Sequence, residues 1–559
     1  MKTIKSILFA ALAAVGLTSC VGDLNVTPID PSVQTAGDAL ITVDDYYSLL
    51  AQCYAGFANS GSYGPNGANN ISGVDGGFSQ YFRGLYHLNG LTTDEAVCGW
   101  NDDTIRDLHG LAWTPTDVFV AAFYYRIFYQ VSAFNEFLRQ IKNATIEIPE
   151  AARWIAEVRT LRAFCLYHAI DNYGNVPFAD ETAPVGMYVP ERYTRAQLFS
   201  YIESELTDII EGNDIYEAGQ SPYGRINKGA AIMILAKLYL NAEVYIGEDK
   251  YQECVNTLNK LGTTYSLHDS YAELFMGDNH LCTDEIIWAV EQDGVNVQSY
   301  GATNYLIFAS TGGDMDINKA GIASGWGGLR TTPQFYDKFD AADVRRMFYT
   351  EKEQKEIWDK QYQAYVKETT EKNESLEAGK EAEEIKTFED WSKAKKVQTK
   401  EIKDLGEFTN GYAFMKFTNV CSDGTIPNKS GESNPGFVNT DYPVFRYADA
   451  LLMLAECELR GVQCDGLAAL NKVRDRAGLG DIALLTADAI LDERARELYQ
   501  EGWRRSDLVR FGKFTSDTYL WAWKGHEKDG TGVAEHLNLF PIPANELNSN
   551  VNLRQNFGY

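Results

Sequence analysis

Apolar positions recur along most of the chain at the spacing of an α-helix. Trp154, Val158, Leu161, Cys165 and His168 fall at i, i+4, i+7, i+11 and i+14, which predicts a helix from Pro149 to Asn172 and makes His168 a core residue. Helices are also predicted from Val43 to Asn59 and from Thr114 to Asn143, the latter with Pro115 at the first-turn position that tolerates it. Between Gly229 and Leu261, Ala231, Ile234, Leu235, Leu238, Ala242 and Tyr245 form one stripe. Gly247-Glu248-Asp249 turns the chain, and Tyr251, Val255 and Leu258 start a second helix. That pair has the length of a tetratricopeptide unit, about 34 residues. A second such pair is predicted over Tyr447 to Ala477, with Ala448, Leu451, Leu452, Ala455 and Leu459 facing inward. From 262 to 440 the pattern breaks into loops and short strands such as Glu285 to Val290. It also carries a charge-dense tract, Thr350 to Asp404, expected as solvated helix or disorder. The expected fold is mostly α: a tetratricopeptide-like scaffold of helical pairs, over about 43–261 and 442–511, with a loop-rich, irregular ligand-binding region between them.

The ends set the compartment. Two lysines, an apolar run from Ile7 to Val15 and then Leu17-Thr18-Ser19-Cys20 read as a signal peptide with the cleavage motif of a bacterial lipoprotein. The run is too short to span a bilayer, which needs about 20 apolar residues. Residues 1–19 are thus expected to be removed and Cys20 to be acylated, with 20–42 a tether and 43–559 one domain. Lipid chains on one cysteine would anchor the protein to a membrane. The other eight cysteines are scattered without CxxC or other metal spacing. A formal charge of −28 excludes nucleic acid as a partner, since that affinity rests on neutralising phosphates. Aromatics make up 13% of the chain and supply flat faces suited to sugars.

Two tryptophans lie in polar, Gly-rich loops, Cys98-Gly99-Trp100-Asn101-Asp102 and Ser324-Gly325-Trp326-Gly327-Gly328. Such positions favour a ligand platform over a core role, the alternative being rings tucked under their own loops. Arg83, after Tyr81-Phe82, is either a donor to a ligand or the partner of a nearby acid. Asp94-Glu95 is the acid pair near these loops considered for hydrolysis of a glycosidic bond, which needs two carboxyls about 5 to 10 Å apart, and adjacent acids serve equally as caps. No P-loop, G-x-S-x-G or H-E-x-x-H occurs. No cofactor is required, although Asp278, Asn439 and Asp441 carry the oxygen ligands that a structural calcium ion takes, turn capping being the commoner use.

Three stretches resemble the SusD/RagB family. Glu157 to Phe164, followed by Asn172-Tyr173-Gly174-Asn175-Val176-Pro177-Phe178, is similar to the family's E-x-R-x-L-R-A helix and its Y-G-x-x-P-F turn. Arg494 to Phe511 is similar to its C-terminal E-R-x-R-E-L-x-x-E-G-x-R-x-x-D-L signature, and Tyr442 to Asp449 to the segment between them. These signatures read physically as buried arginines with carboxylate partners and as turns set by Gly and Pro. The resemblance implies a cell-surface glycan-binding lipoprotein of the outer membrane, not an enzyme, which passes starch or maltooligosaccharides to a SusC-like TonB-dependent transporter. The same scaffold bound to another glycan or to peptides is the alternative, and a glycoside hydrolase the alternative of another class. By motif, Trp100, Trp326 and Tyr300 correspond to the aromatic arc that follows an α-glucan in the family's starch-binding member, with Arg83 and Asp103 bonding hydroxyls. Two positions depart: Cys98 stands where a further tryptophan is expected and Asp103 where an amide is expected. A carboxylate accepts hydrogen bonds but cannot donate them.

Overall fold

The computed structural model describes residues 39–559 apart from 63, 66–68, 187 and 379. The signal peptide, Cys20 and most of the tether lie outside the described residues. The first long helix, Val43–Ala58, opens on a capping box: Thr42 Oγ1 accepts from the Asp45 N–H and the Asp45 carboxylate accepts from the Thr42 N–H at 2.8 Å. The next begins later than predicted. Asp117, not Thr114, caps Val118–Lys142 by accepting from the Phe119 and Val120 amides, and Pro115 precedes it in a turn. That helix packs on Ala151–Asn172, where His168 is buried, held by Tyr81 Oη at 2.8 Å and pushed down to about 3 by burial.

From there the helices stack in series: Arg195–Glu211, Lys228–Leu240, Tyr251–Leu258, Tyr447–Leu459, Gly466–Arg476 and Ala487–Leu498. The two predicted helical pairs are present. The Lys228–Leu240 helix differs from expectation in one respect: every residue from Gly229 to Leu240 is buried, so it is a central rod and not an amphipathic stripe. Its one buried cation, Lys237, meets the Asp449 carboxylate at 2.5 Å and lies 3.6 Å from the centre of the Trp503 ring. In the second pair a small residue decides the spacing. A Cβ at Gly466 would stand 2.6 Å from Leu454 O, too close for any side chain, so glycine lets the two helices touch.

The middle of the chain is more ordered than its pattern suggested. Strands Ala96–Cys98, Leu329–Thr331, Tyr412–Phe414 and Phe348–Tyr349 form an antiparallel sheet in that spatial order, and Ile286–Val290 pairs with Tyr442–Arg446. Helix Ala302–Ser310 is buried at all nine positions. The charge-dense tract holds a 24-residue, largely exposed helix, Glu351–Glu374, started by a capping box at Thr350 and Glu353. Cys53, Cys98, Cys165, Cys254, Cys282, Cys421, Cys457 and Cys464 are all free thiols.

Candidate functional site

Helix Ala302–Ser310 leaves carbonyls unpaired at its C-terminal end, as every helix does. The Trp326 loop supplies the missing donors: Trp326 N–H bonds Phe308 O at 2.7 Å, Gly328 N–H bonds Ala309 O at 2.7 Å and Gly327 N–H bonds Thr311 O at 2.9 Å. This close seating needs glycine, since a Cβ at Gly325 would lie 2.2 Å from Thr311 O. Trp100 is placed by the sheet. It follows the Ala96–Cys98 strand, whose Cys98 pairs with Leu329, and the Gly99 N–H extends the ladder to Gly328 O at 2.9 Å. A Cβ at Gly328 would touch the Trp100 ring at 2.7 Å, so the indole lies directly on that glycine.

The rings form a row. Trp100 and Trp326 have centroids 6.3 Å apart and Trp326 and Tyr300 5.8 Å apart; Tyr300 meets Phe437 at 5.4 Å. All four are partly buried and partly open, unlike Tyr305 and Phe308 behind them, which are buried. Each ring thus packs on its neighbours and keeps part of its surface open. The expected site residues Trp100, Trp326 and Tyr300 come together.

Arg83 sits at the back of this row. Its guanidinium lies 4.6 Å from the Tyr305 ring centre, 5.7 Å from Trp100 and 5.9 Å from Trp326. Nη1 donates to Gly77 O at 2.7 Å and Tyr300 O at 3.1 Å, while Nε has no partner among the described residues. Among the described residues it makes no ion pair with an acid, and burial lowers its pKa. Part of the donor capacity assigned to a ligand therefore fixes the backbone of Tyr300. Asp103 is exposed at the first turn of helix Asp103–Gly110, a favourable end for a carboxylate, and has no hydrogen-bond partner among the described residues. Cys98 is 5% exposed and its thiol is pushed up to about 11 by burial, so no platform stands at that position.

The remaining candidates are occupied elsewhere. Asp94 is fully buried in a two-bond pair with Arg504, both contacts at 2.7 Å, and also accepts from Tyr519 Oη. Glu95 accepts the Gln500 N–H at 2.9 Å. Both carboxyls are buried. Of the residues considered for calcium, Asp278 caps Ser422, Asn439 Oδ1 accepts from Asn428, and Asp441 accepts from the Gln292 N–H and Tyr223 Oη. Among the described residues no three His, Cys, Asp or Glu side chains converge. Sequence reasoning missed Phe437 and Tyr305. Phe437 carried the signal used for Trp100, an aromatic in a Gly-, Pro- and Asn-rich loop; Tyr305 lies in a fully buried helix and carried none.

Comparison with known proteins places these features. A family model described as the SusD family matches residues 284–559. The starch-binding protein SusD of Bacteroides thetaiotaomicron is 34% identical over 583 residues, covering 100% of this chain and 99% of that protein. Among solved structures, surface glycan-binding protein A from Bacteroides thetaiotaomicron superposes with a TM-score of 0.68 at 20% identity, covering 92% of this chain and 99% of the other. The structure of a protein of that name from the same organism in complex with laminarihexaose gives 0.66 at 19% identity, with the same coverage.

Proposed function

The chain belongs to the SusD family, and from that premise we propose that it captures an α-glucan, starch or its maltooligosaccharides, at a bacterial cell surface and passes it uncleaved to a TonB-dependent transporter. The observation that carries this reading is the row of half-open rings, Trp100, Trp326 and Tyr300, on loops pinned by backbone hydrogen bonds. Such a row offers apolar area to the C–H faces of successive sugars, worth about 25 cal/mol per Å² removed from water. The full-length similarity to a starch-binding protein supports the α-linked choice. Binding without cleavage is supported by Asp94 and Glu95, which are held in the core by their own partners. Anchoring through an acylated Cys20 belongs to the same proposal: it would keep the binder beside its transporter and raise the local concentration of captured chains. In keeping with it, no helix among the described residues is long and apolar enough to cross a membrane.

A second reading is a β-1,3-glucan. The laminarihexaose complex of a structural relative favours it, as do the two departures at Cys98 and Asp103 within the matched site. Titration calorimetry on the protein lacking residues 1–20 separates the two. Maltoheptaose and cyclodextrin are expected to bind and cellohexaose, which is flat, is not. Laminarihexaose binding more tightly than maltoheptaose would replace the α-glucan by the β-1,3 ligand, and equal binding of cellohexaose would overturn the curved-glucan reading altogether.

A further inference from the structure

Resting on the glycan reading above, we infer that Phe437 is a further sugar platform, which extends the row beyond Tyr300 so that the site engages a longer chain than its three recognised rings would hold. The ring continues the existing series: Phe437 lies 5.4 Å from Tyr300 with planes 39° apart, and Tyr300 in turn meets Trp326. Its loop is bound to the same scaffold as the other platforms. Ala323 N–H bonds Pro435 O at 3.0 Å and Asn434 Nδ2 bonds Ile322 O at 3.2 Å, tying it to the segment that leads into Trp326. Val438 N–H bonds Asn304 Oδ1 at 3.2 Å, tying it to the buried helix under the site. From the other side the chain approaches at Gly294, where φ is +66° and a Cβ would stand 2.9 Å from Phe437 O. The position of this phenyl group is therefore built, not incidental to a floppy loop.

The chemistry of the ring points the same way. Phenylalanine carries no polar atom that needs a partner, yet Phe437 keeps part of its surface open beside exposed Gly436, in a segment that is otherwise polar. An apolar face left open next to a row of like faces suits a ligand that alternates apolar and hydroxylated edges. The opposite end of the row is short by one ring, because Cys98 points into the core. Together these shift the extended chain toward Tyr300 and Phe437.

The test is the dependence of affinity on chain length. Phe437→Ala and Phe437→Leu, the second keeping apolar packing on Tyr300 while removing the flat face, are titrated with maltotriose and maltoheptaose beside the unaltered protein. The expected result is a loss of about tenfold for maltoheptaose, the size of one sugar face returned to water, and less than about twofold for maltotriose, with Phe437→Trp restoring the long-chain affinity. An equal loss at both lengths would make Phe437 only a support for Tyr300, and no loss would make it irrelevant; either overturns the extension and leaves the glycan reading intact. Failure of the unaltered protein to bind either sugar overturns both.

Discussion

Arginine is used in two opposite ways in this molecule. In the helical seam, Arg446 is fully buried and donates to three carboxylates: Glu285 at 2.6 Å, Glu497 at 2.8 Å and Glu501 at 2.8 Å. Arg476 and Arg345 share Glu497, and Lys416 shares Glu501. Burial alone would lower the Arg446 pKa, but the surrounding glutamates raise it well above its usual value. At the aromatic row Arg83 faces ring surfaces and carbonyls, and burial prevails. The difference teaches where function can reside. A guanidinium ringed by carboxylates has its hydrogen bonds completed and serves to fix helix ends; one set among rings leaves its neighbours' outer faces open.

Three measurements break or sharpen this contrast. The largest effect is expected in the seam. Arg446→Leu removes one of the two cations paired with each of Glu285 and Glu501, leaving the buried network one positive charge short, and should lower unfolding free energy by about 3–5 kcal/mol, read from urea midpoints. A loss below about 1 kcal/mol would mean that the network is dispensable. Next, Trp326→Ala should weaken maltoheptaose binding by at least about tenfold, since it exposes a sugar face, whereas Asp103→Asn removes at most one hydrogen bond and should change affinity by less than about threefold. The reverse ranking would move recognition from rings to the carboxylate. The smallest effect concerns Glu95, whose carboxyl is pushed up to about 7 by burial. Because the folded state holds this proton more tightly than the unfolded chain, the stabilisation is full below the unfolded value, about 4.3, and is lost as pH rises through 7. Glu95→Gln should flatten the decline in stability between about pH 5 and about pH 8. An unchanged slope would show that Glu95 does not titrate in that interval.

The seam was far more legible in the sequence than the site. Helices such as Ala151–Asn172 announce themselves because one face must be apolar every three or four residues, and the Glu157 and Arg494 signatures appear as the ion pairs they suggested. Lys228–Leu240 was legible as a helix but not as a fully buried one, because the residues off its predicted stripe are also apolar. The three-residue strands Ala96–Cys98 and Leu329–Thr331 are too short for alternation to register. Their pairing comes from contacts hundreds of residues apart, and the seating of the Trp326 loop on a helix end comes from backbone bonds that leave no mark on the side-chain pattern. Trp100 and Trp326 were visible as aromatics where no core was expected. What Arg83 does could not be read, because its partners are backbone carbonyls at Gly77 and Tyr300 that leave no trace in side-chain chemistry.

The backbone bonds that seat Trp326 on the end of the buried helix have a consequence for the ligand. With the platforms held before binding, little protein conformational entropy remains to be lost, and the ordering falls on the sugar. A linear oligosaccharide must freeze its glycosidic torsions to lie along the row, whereas a closed ring has already done so. Between molecules that touch the same faces, discrimination by this site would then be a matter of how stiff the incoming chain is, and a polymer already wound into its helix would dock more readily than the loose coil released from it.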